Sequence, residues 1–216
     1  SVPDGGVAAA GAVSVAAQTS VPAADGLWPQ GERVEPSQDP ALAKGLDDAA
    51  LTGPGMRAGV VVRDGRVVGE RYGEGFSETT PLLGWSMTKT VNAAIVGTLV
   101  KDGRMALDRT GLFPAWLADG RAAISLADLM AMSSGLVFNE DYGDVTDVTR
   151  MLFLEPDMAG FAAAKPLSGA VGKVWSYSGG TAVFLSRLWQ DAVRDPDKAL
   201  AWPRRALFSP LGMTSA

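Results

Sequence analysis

The 216-residue chain contains no cysteine and no histidine. Without cysteine it has no disulfide bond, no thiolate nucleophile and no cysteine-ligated zinc site. Without histidine it cannot form a Ser-His-Asp triad or a histidine-ligated zinc or haem centre. If the protein is an enzyme, lysine, tyrosine, aspartate or glutamate must therefore move its protons. The cellular compartment stays open, because both cytosolic and exported proteins can lack cysteine.

Long apolar runs and clusters of basic residues are also missing. No stretch reaches the roughly eighteen apolar residues that a membrane-spanning helix needs. The net charge is −5 and the longest basic run is the pair Arg204-Arg205, which argues against nucleic-acid and anionic-membrane partners. With 47% hydrophobic residues, the composition indicates a globular protein with one substantial domain or two small ones.

Residues 1–55 are predicted to form an N-terminal arm. The first forty are rich in Ala, Gly, Val, Ser and Pro and lack helical or strand periodicity. The segment 7–17 is mildly apolar, but a secretory leader needs a stronger apolar centre preceded by Lys or Arg. We interpret this segment as a wrapping arm, with a segment that follows a removed leader as the alternative.

Regular structure is predicted from Met56 onwards. Two β-branched runs, 59–63 and 67–72, flank Asp64-Gly65, a pair that favours a two-residue hairpin turn. Apolar spacing and capping residues then predict a series of helices. These cover residues 86–101, 125–132, 157–164, 181–193 and 198–208, the last with a kink or break at Pro203.

A Ser-x-x-Lys sequence, Ser86 to Lys89, opens the first of these helices. At this spacing the two side chains lie on one helical face, so the lysine can act as a base for the serine hydroxyl if its pKa is lowered. The helix N-terminus also offers backbone N–H groups to a developing oxyanion. The pair alone is weak evidence, because an N-cap serine followed by a solvated lysine has the same sequence.

Five segments in a fixed order identify a family resemblance. They are Gly84–Val91, Lys101–Asp108, Ile124–Leu136, Phe138–Asp144 and Trp175–Thr181. Together they resemble the penicillin-recognising serine hydrolases on the class C β-lactamase and esterase side, in the branch that includes 6-aminohexanoate-dimer (nylon-oligomer) hydrolases. The resemblance implies an α/β, β-lactamase-like fold, in which helices and a helical subdomain flank an antiparallel sheet.

The resemblance also implies a catalytic set. Ser86 matches the nucleophile, Lys89 its base, and Tyr177 the tyrosine of the family's Tyr-x-Asn motif, whereas Gly179 replaces the asparagine. A phenol becomes a usable base when a lysine cation favours the phenolate; the alternative is a tyrosine with its ring in the core. Trp85 and Gly179 are candidate substrate contacts, although Trp85 could equally belong to the core. The implied substrate is a small ester or amide, and no cofactor is implied.

One family element has no match. The third motif, Lys-Thr-Gly or a variant, normally lies on a strand well beyond the tyrosine, and the 39 residues after Tyr177 contain no such triad. Residues 56–216 therefore resemble only the N-terminal half of a family member, with most sheet strands absent. We expect either a serine hydrolase completed by another segment or a complementary chain, or a non-catalytic binding or assembly module.

Two further features receive no catalytic role from the sequence. Asn92 is predicted to lie off the catalytic face of its helix. Glu140, Asp141 and Asp144 form an acidic loop that we interpret as solvated, with contact to an amine or amide end of a substrate as the alternative.

Overall fold

The computed structural model describes residues 25–216, which belong to two compact units. The first unit, Ser1–Thr79, contains helices α1 (Pro40–Asp47) and α2 (Ala49–Thr52) and strands β1 (Ala58–Arg63) and β2 (Arg66–Tyr72). The second, Thr80–Ala216, is helical, with α3 (Thr88–Lys101), α4 (Leu126–Met130), α5 (Asp147–Phe153), α6 (Met158–Ala163), α7 (Gly179–Val193) and α8 (Pro196–Pro203). Within the described residues, no helix is both long and apolar enough to cross a bilayer.

The predicted hairpin is confirmed. β1 and β2 pair antiparallel, with a register irregularity between Val61 and Val62. Asp64 and Gly65 have φ values of 52° and 73°, the positive values that a two-residue hairpin turn requires. Asp64-Gly65 therefore determines where the chain reverses.

The two faces of the hairpin have different surroundings. On one face, the Cα of Gly69 lies so close to α1 that an added Cβ would be 3.0 Å from Leu46 and 3.2 Å from Leu42. On the other face, Val60 and Val62 are each 51% exposed. Within the described part of the first unit, the hairpin thus has one covered face and one open apolar face.

Helices α1 and α2 are not predicted by the sequence patterns. Asp39 caps α1 through its side chain, with Pro40 in the first turn, and Asp48 caps α2 in the same way. An N-cap aspartate and a proline in the first turn are standard signals of a helix start. The two helices are too short, however, for their apolar residues to show a helical period. Residues 1–24 of the predicted arm lie outside the described residues, and the boundary between residues 55 and 56 stays a prediction.

The five predicted helices are confirmed with small shifts at their ends. Ser125 caps α4 in a reciprocal capping box with Asp128, as its sequence spacing indicates. The last predicted helix breaks where expected, because α8 ends at Pro203 and a π-helical turn, Arg204–Phe208, follows. The sequence patterns do not predict α5, whose seven residues begin after Thr146, where the Thr146 N–H donates to Thr149 Oγ1 at 2.8 Å.

The main core lies between α3 and α7 of the second unit. Ile95 and Leu99 from α3 pack in one cluster with Phe184 and Trp189 from α7. Trp116 is fully buried there, and its indole N–H donates to the carbonyl of Ala163 at 2.9 Å. Both helices belong to the second unit, and the predicted catalytic residues lie at or just before their N-terminal ends.

Candidate active site

Ser86 lies in a 3₁₀ turn, Trp85–Met87, which leads directly into α3. Lys89 is in the first turn of α3, and its Nζ donates a hydrogen bond to Ser86 Oγ at 3.0 Å. Ser86 is exposed and Lys89 half-buried. The i, i+3 spacing therefore produces a direct contact between a candidate nucleophile and a candidate proton carrier.

Trp85 has an unusual backbone conformation for an aromatic residue. Its φ is 44°, a left-handed value that costs a residue other than glycine about 1–3 kcal/mol. Its carbonyl accepts a hydrogen bond from Thr88 Oγ1, which ties the turn to the start of α3. The residue is 66% exposed, so Trp85 is not part of the core that the described residues form.

Tyr177 lies immediately before α7. The next residue, Ser178, is buried and caps the helix by accepting a hydrogen bond from Thr181 N at 3.1 Å. The centroid of the Tyr177 ring is 4.7 Å from Lys89 Nζ. The residue is 37% exposed, so it lies outside the core that the described residues form. The structure thus brings Ser86, Lys89 and Tyr177 together.

The local electrostatics favour the phenolate form of Tyr177. Hydrogen bonding by Ser86, and then by Lys89, lowers the pKa of Tyr177 below its ordinary value. Partial burial and the negative charge of Glu140 act in the opposite direction without reversing the shift. A tyrosine with a lowered pKa is better suited to accept a proton from a serine hydroxyl.

Glu140 corrects the interpretation of the acidic loop. Its Oε2 accepts a hydrogen bond from the backbone N–H of Gly179 at 2.7 Å, so this carboxylate is part of the site and not a solvated loop acid. Burial, Glu140 and Tyr177 together raise the pKa of the nearby Tyr142. Sequence reasoning missed Glu140 because its partner lies 39 residues away and no local pattern marks the contact.

A cleft of about 650 Å³ opens at the nucleophile. Its lining includes Trp85, Ser86, Lys89, Tyr142 and Gly179. The two candidate substrate contacts from the sequence therefore lie in the same cleft as the Ser-Lys pair. Across residues 25–216, no group of three or more acidic side chains is arranged to hold a metal ion.

Asn92 connects the two helices that carry the site. Its Nδ2 donates to the Ala182 carbonyl at 2.9 Å, and its Oδ1 accepts from Trp189 Nε1 at 2.8 Å and from Ser186 Oγ at 3.3 Å. The three bonds join α3 to α7 close to their catalytic ends. The sequence analysis gave Asn92 no role, because all its partners lie 90 or more residues away.

Comparisons with known proteins agree with the resemblance. The family model described as Beta-lactamase matches residues 47–216. No curated protein matches the chain. Among solved structures, "Putative 6-aminohexanoate-dimer hydrolase from Bacillus anthracis" is similar, with a TM-score of 0.54 and 20% sequence identity over 69% of this chain and 43% of that one. A putative beta-lactamase from Bacteroides dorei has a TM-score of 0.56 and 22% identity, over 82% of this chain and 51% of that one.

The structural matches confirm two expectations from the sequence. The fold is β-lactamase-like, with a small two-stranded antiparallel sheet and many helices. The chain spans about half the length of the solved structures that it matches, as expected from its resemblance to an N-terminal half. Because the family model matches more than half of the sequence, the chain belongs to the Beta-lactamase family.

Proposed function

We propose that this chain carries the nucleophile and proton carriers of a serine hydrolase that cleaves ester or amide bonds through an acyl-enzyme. The observation that carries the proposal is the 3.0 Å contact between Lys89 Nζ and Ser86 Oγ, beside a tyrosine whose pKa is lowered by both residues. Because the sequence contains no histidine, a Lys-Tyr pair is the proton route that the site offers.

The reaction proceeds in two balanced halves. In the first, Ser86 Oγ attacks the substrate carbonyl carbon while its proton passes to the Lys89-Tyr177 pair, and the pair then returns the proton to the leaving alcohol or amine. In the second, water attacks the acyl-enzyme by the same route and releases the acid. The N–H of Ser86 is the first donor to the oxyanion.

Small esters and amides are the proposed substrates. The family's Tyr-x-Asn motif ends here in Gly179, so the side-chain amide that would contact a substrate at this position is absent. This departure makes β-lactam turnover the less favoured activity but leaves acyl transfer at Ser86 in place. One structural neighbour is named as a 6-aminohexanoate-dimer hydrolase, which agrees with an amide or ester substrate.

A complementary set of strands is the second part of the proposal. In the described part of the chain, β1 and β2 form a sheet of two strands, whereas a family sheet continues by pairing further strands at its edges. A two-stranded hairpin is marginal by itself in water. We therefore propose that strands supplied in cis or by a separate chain complete the sheet and provide the second oxyanion donor. The alternative is a module that keeps the scaffold for binding or assembly without turnover.

Covalent labelling of the nucleophile tests the catalytic proposal. In the natural polypeptide that contains this chain, a fluorophosphonate should label Ser86, and p-nitrophenyl acetate should give an acyl-enzyme burst. Ser86→Ala should abolish both signals. Ser176→Ala, at an exposed serine next to Tyr177, is the matched control and should retain them. Labelling that persists in Ser86→Ala, or no labelling of the natural polypeptide, would favour the non-catalytic alternative.

A further inference from the structure

The space next to Gly179 is already filled by a carboxylate. A Cβ added at Gly179 would lie 2.9 Å from Glu140 Oε1 and 3.3 Å from Oε2. The same carboxylate accepts the Gly179 N–H at 2.7 Å. Glu140 therefore occupies the volume in which a side chain of residue 179 would begin.

The backbone on both sides of Glu140 is held in place. Asn139 N donates to Asp147 Oδ2 at 2.9 Å, and the Asn139 carbonyl accepts from Val148 N at 3.0 Å. Asp141 N donates to Asn139 Oδ1 at 2.9 Å. These bonds connect the loop to the start of α5, so the Glu140 side chain extends from a fixed segment towards the start of α7.

The charge on Glu140 has no cationic side chain paired with it in the described part of the chain. Across residues 25–216, no lysine or arginine forms an ion pair with this residue. Its partner on the protein is the backbone N–H of Gly179, the first residue of α7. A negative charge therefore lies beside Gly179, which lines the cleft, and this charge also influences the Tyr177 phenol.

We propose that Glu140 takes the place of the missing side chain at position 179 and makes the site select neutral or cationic acyl groups over anionic ones. The inference rests on the proposed hydrolase function and names the class of substrate that the same site accepts. A carboxylate on the acyl group, entering the cleft beside Gly179, meets a like charge in a partly desolvated place. A neutral chain avoids this repulsion, and an ammonium group is attracted.

Two esters of similar length test the selection. We would measure kcat/KM of the natural polypeptide for mono-p-nitrophenyl glutarate and p-nitrophenyl pentanoate, subtracting the rate of Ser86→Ala from each. Glu140→Gln should raise the kcat/KM for the anionic ester, relative to that for the neutral ester, about tenfold. This size is expected for two charges roughly 6 Å apart at a partly exposed site. Asp141→Asn, the matched loss of one charge on the same loop, should change the ratio less than about twofold.

A paired substitution, measured with the neutral ester, tests the shared volume. Gly179→Asn should lower kcat/KM for the neutral ester, because its Cβ must displace the Glu140 carboxylate. Adding Glu140→Ala frees that space, so the double variant should lose less than the product of the two single losses.

The outcomes separate this inference from the proposed function. Two outcomes would overturn the role of Glu140 alone, provided that hydrolysis still depends on Ser86. The first is an unchanged ratio of kcat/KM for the two esters in Glu140→Gln. The second is a loss of kcat/KM in the double variant that equals the product of the two single losses. Absence of any Ser86-dependent hydrolysis would overturn the proposed function and this inference with it.

Discussion

Replacing Asn92 by leucine should weaken the connection between α3 and α7. The substitution keeps a side chain of similar size but removes all three hydrogen bonds of the amide. One partner is left without a bond, the indole N–H of Trp189, a residue that is only 8% exposed. The carbonyl of Ala182 lies inside α7, where it takes part in the helical backbone bonding, so it loses only the additional bond from Asn92.

The expected loss of stability follows mainly from the Trp189 indole. A buried polar group that loses its only partner costs about 1–3 kcal/mol, and the lost second bond at the Ala182 carbonyl adds about 0.5–1.5 kcal/mol. Ser186, which is half-buried and bonds at 3.3 Å, can turn its hydroxyl towards water and adds little. We therefore expect Asn92→Leu to lower the free energy of unfolding by about 1.5–4.5 kcal/mol.

Urea unfolding followed by tryptophan fluorescence measures this change in the natural polypeptide. The midpoint should fall while the dependence on urea stays the same. Gln190→Leu is the matched control, because this exposed residue of α7 donates one bond, to the Ser186 carbonyl at 3.0 Å, and should cost less than about 1 kcal/mol. If Asn92→Leu costs no more than the control, the three bonds do not stabilise the packing of α3 on α7.

Three further predictions concern the chemistry and completeness of the site. Lys89→Ala and Tyr177→Phe should each lower the acylation rate about 10²–10⁴-fold with little change in thermal midpoint; near-wild-type acylation in Tyr177→Phe would refute the proton route. Because Ser86 and Lys89 lower the pKa of Tyr177, acylation should rise with pH and level off below about pH 10. In Lys89→Gln the rise of the acylation rate should move to higher pH. An unmoved pH profile would contradict the effect of Lys89 on the pKa of Tyr177. Residues 1–216 expressed alone should aggregate and be inactive, as judged by size-exclusion chromatography and ester hydrolysis; a monodisperse, active monomer would refute the need for further strands.

Local features of the structure could be predicted from the sequence because their causes are local. Asp64-Gly65 sets the hairpin turn through two positive φ angles, and Ser125 with Asp128 starts α4 through bonds within one turn. The Ser86–Lys89 contact follows from helical spacing alone. Tyr177 needed more, since only the family resemblance linked it to a serine 91 positions earlier.

Tertiary structure decided the contacts that join distant segments. Glu140 reaches Gly179 across 39 residues, and Asn92 reaches α7 across 90 or more. Neither contact has a sequence signal, because an acidic loop residue and a polar helical residue are equally compatible with solvent until a partner is placed beside them. Trp85 is similar, since a bulky aromatic next to a nucleophile suits either a core or a cleft. Only the packing of α3 and α7, and the left-handed turn before Ser86, distinguish these alternatives.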